Sequence, residues 1–314
     1  MNLLEQLKKV TDVVADTGDF VRMHEYAPKD ATTNPSLILK ASLQSEYQEL
    51  ISKVKKDHPG VTHDELVDHL LVAFGCEILK IVPGRVSTEI DAKLSFDIEE
   101  TVMRGRHLID LYKAKGIDTN RVLIKIASTW EGIQSARILQ NEGINCNLTL
   151  LFNLPQAIAC ADAKVKLISP FIGRITDWYK KSAGEFWNET QNSGLLDPGV
   201  KSVTGIYNYF KYFDIKTEIM GASFRNIEQI KALAGCDLLT ISPELLEILK
   251  NTESELTTQL NSLQAKNLSF EKISLDEKQF RKAMNIDPMA SEKLSEGIRN
   301  FSVDTDKLIT FLSQ

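Results

Sequence analysis

Apolar and polar positions alternate along the chain in two rhythms. Short runs rich in apolar or β-branched residues recur at Thr11–Asp16, Ala31–Asn34, Arg85–Ile90 and Val122–Ala127, and again at Asn145–Phe152, Val165–Phe171, Glu218–Ser223 and Asp237–Ser242. Their length and residue types predict buried strands. Between them lie longer amphipathic stretches such as DELVDHLLVAFGCEILKIV, FDIEETVMRGRHLIDLYKAKG and TWEGIQSARILQNEG. Several of these close on Gly or Asn, the usual helix stop. Eight strands alternating with helices predict an α/β fold, a (β/α)8 TIM barrel. A doubly wound sheet would need a phosphate or dinucleotide loop, and neither G-x-G-x-x-G nor G-x-x-x-x-G-K-[ST] occurs.

Past Lys250 the chain turns polar, then resumes a helical pattern in MASEKLSEGIRNF and VDTDKLITFL. With no repeat, low-complexity tract or Pro/Gly-rich linker, residues 1–314 read as one barrel domain with a helical C-terminal extension over about 251–314.

Period-two alternation sorts each strand into two faces. In VLIKIA, Val122, Ile124 and Ile126 face one way and Leu123, Lys125 and Ala127 the other. The all-apolar set suits the helix-covered outside of a barrel, so Lys125 should point inward. Similar sorting places Asp16 opposite Val13 and Ala15, Thr32 with Asn34, and Ser87 with Glu89. It groups Asn147 with Asn145, Thr149 and Leu151, Ser169 with Leu167 and Phe171, and Ser223 with Gly221. Polar groups from seven strands are thus expected to converge toward the strands' C-terminal ends, where barrels carry their active sites.

Composition changes this picture little. The charged fraction of 25% and hydrophobic fraction of 43% are those of an ordinary globular protein. A net charge of −6, from 37 basic and 43 acidic residues, argues against nucleic acid as the main partner. The first residues lack a secretory signal pattern and no apolar run nears the roughly 20 residues that span a bilayer. A cytoplasmic protein without membrane contact is expected. Cys76, Cys146, Cys160 and Cys236 are scattered, and the five histidines form no ligand pattern, so neither disulfides nor a metal is expected.

Each polar candidate has an ordinary explanation when taken singly. Asp16 could cap a turn before Gly18, Glu89 could end a strand at the surface, and Thr149 and Ser169 could be satisfied strand hydroxyls. Asn147 could be a core amide, and Arg174 and Arg225 could be solvated. Their convergence argues for chemistry instead. A charged lysine is costly to bury unless it is paired or loses its proton. Desolvation that lowers its pKa from about 10.4 makes the amine a nucleophile able to form a Schiff base with a carbonyl substrate. Glu89, Asp16 and Thr149 are the groups at hand to move protons. Arg225 stands next to a predicted helix start, a place that favours anions.

The segments VADTGDF, TTNPSLI, VSTEIDAKLSFD, VLIKIASTWEGI, GINCNLTLLF, LISPFIGRI, MGASFRN and DPMASEKLSEGIRNF occur in that order. Over essentially the whole chain they resemble the transaldolases of the pentose phosphate pathway. That resemblance implies a barrel in which Lys125 forms the imine and a dihydroxyacetone unit passes from sedoheptulose 7-phosphate to glyceraldehyde 3-phosphate, with no cofactor. It implies that Asp16 takes the C4 hydroxyl proton and that Glu89 and Thr149 act through a water. Asn34 and Asn147, with Thr32 and Ser169 nearby, would hold hydroxyls, while Arg174, Arg225 and Ser223 would hold the phosphate. Sugar phosphates are the implied partners, and a homodimer follows from family precedent. Fructose-6-phosphate aldolases, the nearest alternative, are shorter and carry Gln and Tyr where this chain has Glu89 and Phe171. A non-catalytic sugar-phosphate-binding barrel is the remaining alternative.

Overall fold

A computed structural model describes residues 1–314. Eight parallel strands close into a barrel in sequence order. They are β1 (Asp12–Asp16), β2 (Asp30–Thr32), β3 (Val86–Glu89), β4 (Val122–Ala127), β5 (Cys146–Leu151), β6 (Leu167–Pro170), β7 (Glu218–Gly221) and β8 (Leu238–Ile241). Every expected strand is present, trimmed by a residue or more at most ends. The helices run α1 (Leu3–Leu7), α2 (Pro35–Ser42), α3 (Gln48–Asp57), α4 (His63–Ile81), α5 (Ile98–Ala114), α6 (Trp130–Asn141) and α7 (Leu154–Asp162). They continue with α8 (Ile172–Ala183), α9 (Pro198–Tyr212), α10 (Ile227–Ala232), α11 (Pro243–Asn251), α12 (Ser262–Ala265), α13 (Glu277–Ile286) and α14 (Pro288–Leu312). None is long and apolar enough to cross a membrane.

The strand alternation divides the interior from the helical shell. Val14, Leu123, Leu167, Met220 and Leu238 form a small apolar layer of their own, contributed by β1, β4, β6, β7 and β8. Their neighbours Val13, Ala15, Ile124, Ile126 and Leu239 belong to the large core between barrel and helices. Full burial of a side chain of this size contributes about 1.5–3 kcal/mol. Near the N-terminal ends of the strands, Arg85 is clamped between Asp30 and Glu218 at 2.8 Å each. Above the apolar layer the inward positions turn polar. That apolar layer therefore separates the polar upper interior from the charged lower rim.

The turns from strand to helix are built on side-chain caps. Asn34, Thr129, Asn153 and Asn226 each accept a backbone N–H from the first turn of the helix that follows. These caps fix the C-terminal rim of the barrel, the end where the polar side chains gather.

Three expectations need correction. The C-terminal extension is only partly helical. Residues 252–276 carry no helix but the four-residue α12, and Leu256, Leu260, Phe270 and Leu275 pack on the core from this irregular stretch, whereas α13 and α14 pack on the barrel as full helices. In β5 the alternation fails after Thr149. Leu150 adopts φ 51° and the pairing with β6 shifts between Leu148 and Leu151, so parity does not assign Leu151 to the polar face. In β7 the sorting of Ser223 with Gly221 is wrong. Met220 and Ala222 line the interior cavity, while a Cβ on Gly221 would meet Leu239, Ile172 and Phe224. Ser223 reaches the cavity because its own φ of 64° turns the chain there.

Two glycines inside helices should respond oppositely to alanine. A Cβ on Gly75 in α4 would stand 1.8 Å from the hydroxyl of Tyr112, which is itself bonded to Thr88 at 2.6 Å. Gly205 in α9 has nothing within 4 Å of that position. Helix propensity favours alanine at both by about 1 kcal/mol, but overpacking costs about 1–3 kcal/mol. Chemical denaturation should show Gly205→Ala more stable than the parent by about 0.5–1 kcal/mol. Gly75→Ala should be less stable, and a gain there would mean that α4 and α5 separate freely.

Candidate active site

The inward faces of β3, β4 and β5 set Glu89, Lys125 and Asn147 side by side. Cα pairing aligns Glu89 with Lys125, Lys125 with Asn147, and Ala127 with Thr149. Of the two ways to tolerate a buried lysine, the structure shows a partner. Lys125 Nζ lies 2.9 Å from Glu89 Oε2, with the side chains only 5% and 3% exposed. It also donates to the carbonyl of Thr33 at 3.1 Å. The Glu89 contact lacks hydrogen-bond alignment, so Oε2 has no donor bonded to it. Burial pushes the Glu89 carboxyl up from the ordinary carboxylate range, with Lys125 and then Arg174 opposing.

Asp16 closes β1 on the same interior. Its Oδ1 accepts from Thr32 Oγ1 at 2.9 Å, and the Thr32 hydroxyl also meets that of Thr240 at 2.7 Å. Burial raises its pKa as well, opposed first by Lys125 and then by the Thr32 hydrogen bond. Two carboxyls held up by desolvation beside one ammonium can exchange protons without leaving the site, which is what acid–base work requires.

These groups open on a cavity of about 310 Å³. Its wall includes Asp16, Thr32, Asn34, Lys125, Ser169, Phe171, Arg174, Ser223 and Arg225, all singled out from the sequence. Glu89, Asn147 and Thr149 stand behind that wall. Both ends of the Asn147 amide are engaged, Nδ2 donating to Ser87 at 3.0 Å and Oδ1 accepting from Ser169 at 2.7 Å. Asn34 spends its Oδ1 on the α2 cap, accepting from Leu37 N at 2.9 Å. The Thr149 hydroxyl is fully buried and bonds to no protein group.

The far side of the cavity is cationic. Arg174, on the first turn of α8, lies over the rings of Phe171 at 4.9 Å and Phe301 at 5.3 Å. Desolvation and then Arg225 lower its pKa. Arg225 instead donates Nε and Nη2 to Asp177 at 3.1 and 2.8 Å. Sequence reasoning missed Thr240 and Ser242, which also line the cavity. The signal was present, since alternation through β8 puts Leu238, Thr240 and Ser242 on one face. It also missed the carbonyl of Thr33 and the ring of Phe301, for which local pattern offers no signal.

The site thus combines a buried amine, two desolvated carboxyls and a guanidinium across a cavity of sugar-phosphate size, on the C-terminal ends of barrel strands. The sequence model of the Transaldolase/Fructose-6-phosphate aldolase family matches residues 13–312, from within β1 to the end of α14. The chain belongs to the transaldolase/fructose-6-phosphate aldolase family, and its activity is of the Schiff-base aldolase type.

Proposed function

We propose that this enzyme is a transaldolase, moving a dihydroxyacetone unit from a ketose phosphate to an aldose phosphate. The observation that carries the reading is the Lys125–Glu89 ion pair, held at 2.9 Å behind a cavity whose opposite side presents Arg174. Lys125 Nζ, once deprotonated, attacks the C2 carbonyl of the donor. The carbinolamine loses its hydroxyl as water, with Glu89 supplying the proton through a water shared with Thr149, and an imine remains. Asp16 then takes the C4 hydroxyl proton. The C3–C4 bond breaks, its electron pair passes into the protonated imine, and an enamine and a free aldehyde result. Addition of the enamine to the acceptor aldehyde, with return of the Asp16 proton, makes the new bond, and water releases the product.

Two residues favour this reading over the aldolase alternative. Glu89 and Phe171 stand where fructose-6-phosphate aldolases carry Gln and Tyr. A carboxylate beside Lys125, with a hydroxyl-free ring at the cavity wall, fits an enamine kept for a second aldehyde. The substrates that the resemblance implies are sedoheptulose 7-phosphate and fructose 6-phosphate as donors, with glyceraldehyde 3-phosphate and erythrose 4-phosphate as acceptors.

Borohydride added with fructose 6-phosphate should convert the imine to a secondary amine, and mass spectrometry should place the adduct on Lys125. An adduct elsewhere, or one that persists in Lys125→Ala, would overturn the assignment. With erythrose 4-phosphate present, sedoheptulose 7-phosphate should form faster than free dihydroxyacetone. The reverse order would make the enzyme an aldolase.

Asp16→Asn should still form the trapped imine with the donor but lose aldehyde release by about 10²–10⁴-fold, the usual worth of a general base. Glu89→Gln should slow imine formation instead. Stability gives an independent check on Asp16. Its folded pKa is raised, so the unfolded state releases the proton first as pH rises. The carboxyl therefore costs stability increasingly from about pH 4, the unfolded value, up to its folded pKa. Thermal unfolding at neutral pH should find Asp16→Asn more stable than the parent, with the gap closing below about pH 4. An Asp16→Asn protein less stable at pH 7 would show that this carboxylate holds the barrel together.

A further inference from the structure

Arg174 has neither a carboxylate within ion-pair distance nor a hydrogen bond to any protein group, whereas Arg225 is bound to Asp177. The two rings hold it instead. One, Phe171, follows directly from β6. The other, Phe301, comes from α14 and is 2% exposed. Phe301 lies one helical turn beyond Gly297, on the same face. A Cβ on Gly297 would stand 2.5 Å from Leu150 Cδ2 and 3.3 Å from Arg174 Nη1. The absence of a side chain there lets α14 settle against the irregular end of β5 and beside the guanidinium. Glu89, then Glu296 and Asp16, attract it from beyond ion-pair distance, while Glu89 faces Lys125 at 2.9 Å and Glu296 is paired with Lys293 at 2.6 Å.

A ring face restrains the guanidinium without consuming its N–H groups, because the attraction is to the π cloud. A carboxylate partner would occupy the same donors that a phosphate needs. We propose that Phe301 is a positioning residue of the anion subsite, by which α14 orients Arg174 with its donors free for the phosphate of the substrate. The inference rests on the reading that Arg174 binds that phosphate. It makes α14 part of the specificity machinery: Phe301 acts only through Arg174 and touches no reacting atom.

The test compares glyceraldehyde 3-phosphate with glyceraldehyde as acceptors. Phe301→Met retains apolar bulk but removes the π face. Its selectivity for the phosphorylated acceptor should fall about three- to thirtyfold, the range of cation–π interactions, and the fall should lie in KM rather than kcat. Arg174→Ala should abolish most of the selectivity, and adding Phe301→Met to it should change selectivity no further. If Arg174→Ala loses selectivity while Phe301→Met alone keeps it, the role given to Phe301 is wrong. A Phe301→Met protein that loses kcat equally on both acceptors would assign the ring to packing alone and overturn the proposal. Selectivity unchanged in Arg174→Ala would remove the phosphate reading itself, and the role of Phe301 with it.

Discussion

An ammonium and a carboxylate excluded from water at 2.9 Å constrain everything built around them. Taking either charge out of water alone costs several kcal/mol, and their mutual attraction offsets this only if position is held. The barrel provides that rigidity. Lys125 and Glu89 are Cα partners on neighbouring parallel strands, so their spacing is fixed by backbone pairing and not by flexible side chains. The apolar layer contributed by Val14, Leu123, Leu167, Met220 and Leu238 lies lower in the barrel interior. Without the closed sheet, Lys125 and Glu89 would not be held together away from water.

Two of the chain's left-handed residues stand at the same end of the barrel. Leu150 and Ser223 hold left-handed backbone conformations, each costing of order 1–3 kcal/mol for a non-glycine residue. One lets β5 meet α14, and the other brings a hydroxyl to the cavity that regular pleating would send away. Both lie at or just past the C-terminal ends of their strands, β5 and β7. At the lower end, clamped by Arg85 with Asp30 and Glu218, Ala27, Lys164 and Asp214 take left-handed conformations in the loops that lead into β2, β6 and β7. The chain thus divides into strand segments whose faces pleating decides and positions where a left-handed residue resets them.

This division also explains what the sequence could reveal. Lys125, Glu89, Asp16 and Thr32 sit on regular strand segments, where period two decides the face, and each was legible from a run of four to six residues. Thr240 was equally legible by the same rule. Parity could not follow Leu151 or Ser223, because a bulge and a left-handed turn reset the count. Phe301 was out of reach for a different reason. Its meeting with Arg174 depends on how α14 lies across the finished barrel, a long-range arrangement that no local pattern encodes. Nor could residue type alone show that Asn147 is tied at both ends of its amide by Ser87 and Ser169.

The order in which these parts emerge during synthesis has its own consequence. The lysine strand and both carboxylates leave the ribosome well before α14, and the barrel can close once β8 is made. Until α14 docks, a newly closed barrel would carry the amine that reacts with carbonyls but only one of the two rings that hold Arg174. The last helix to be made is thus the one that completes the pair of rings around Arg174.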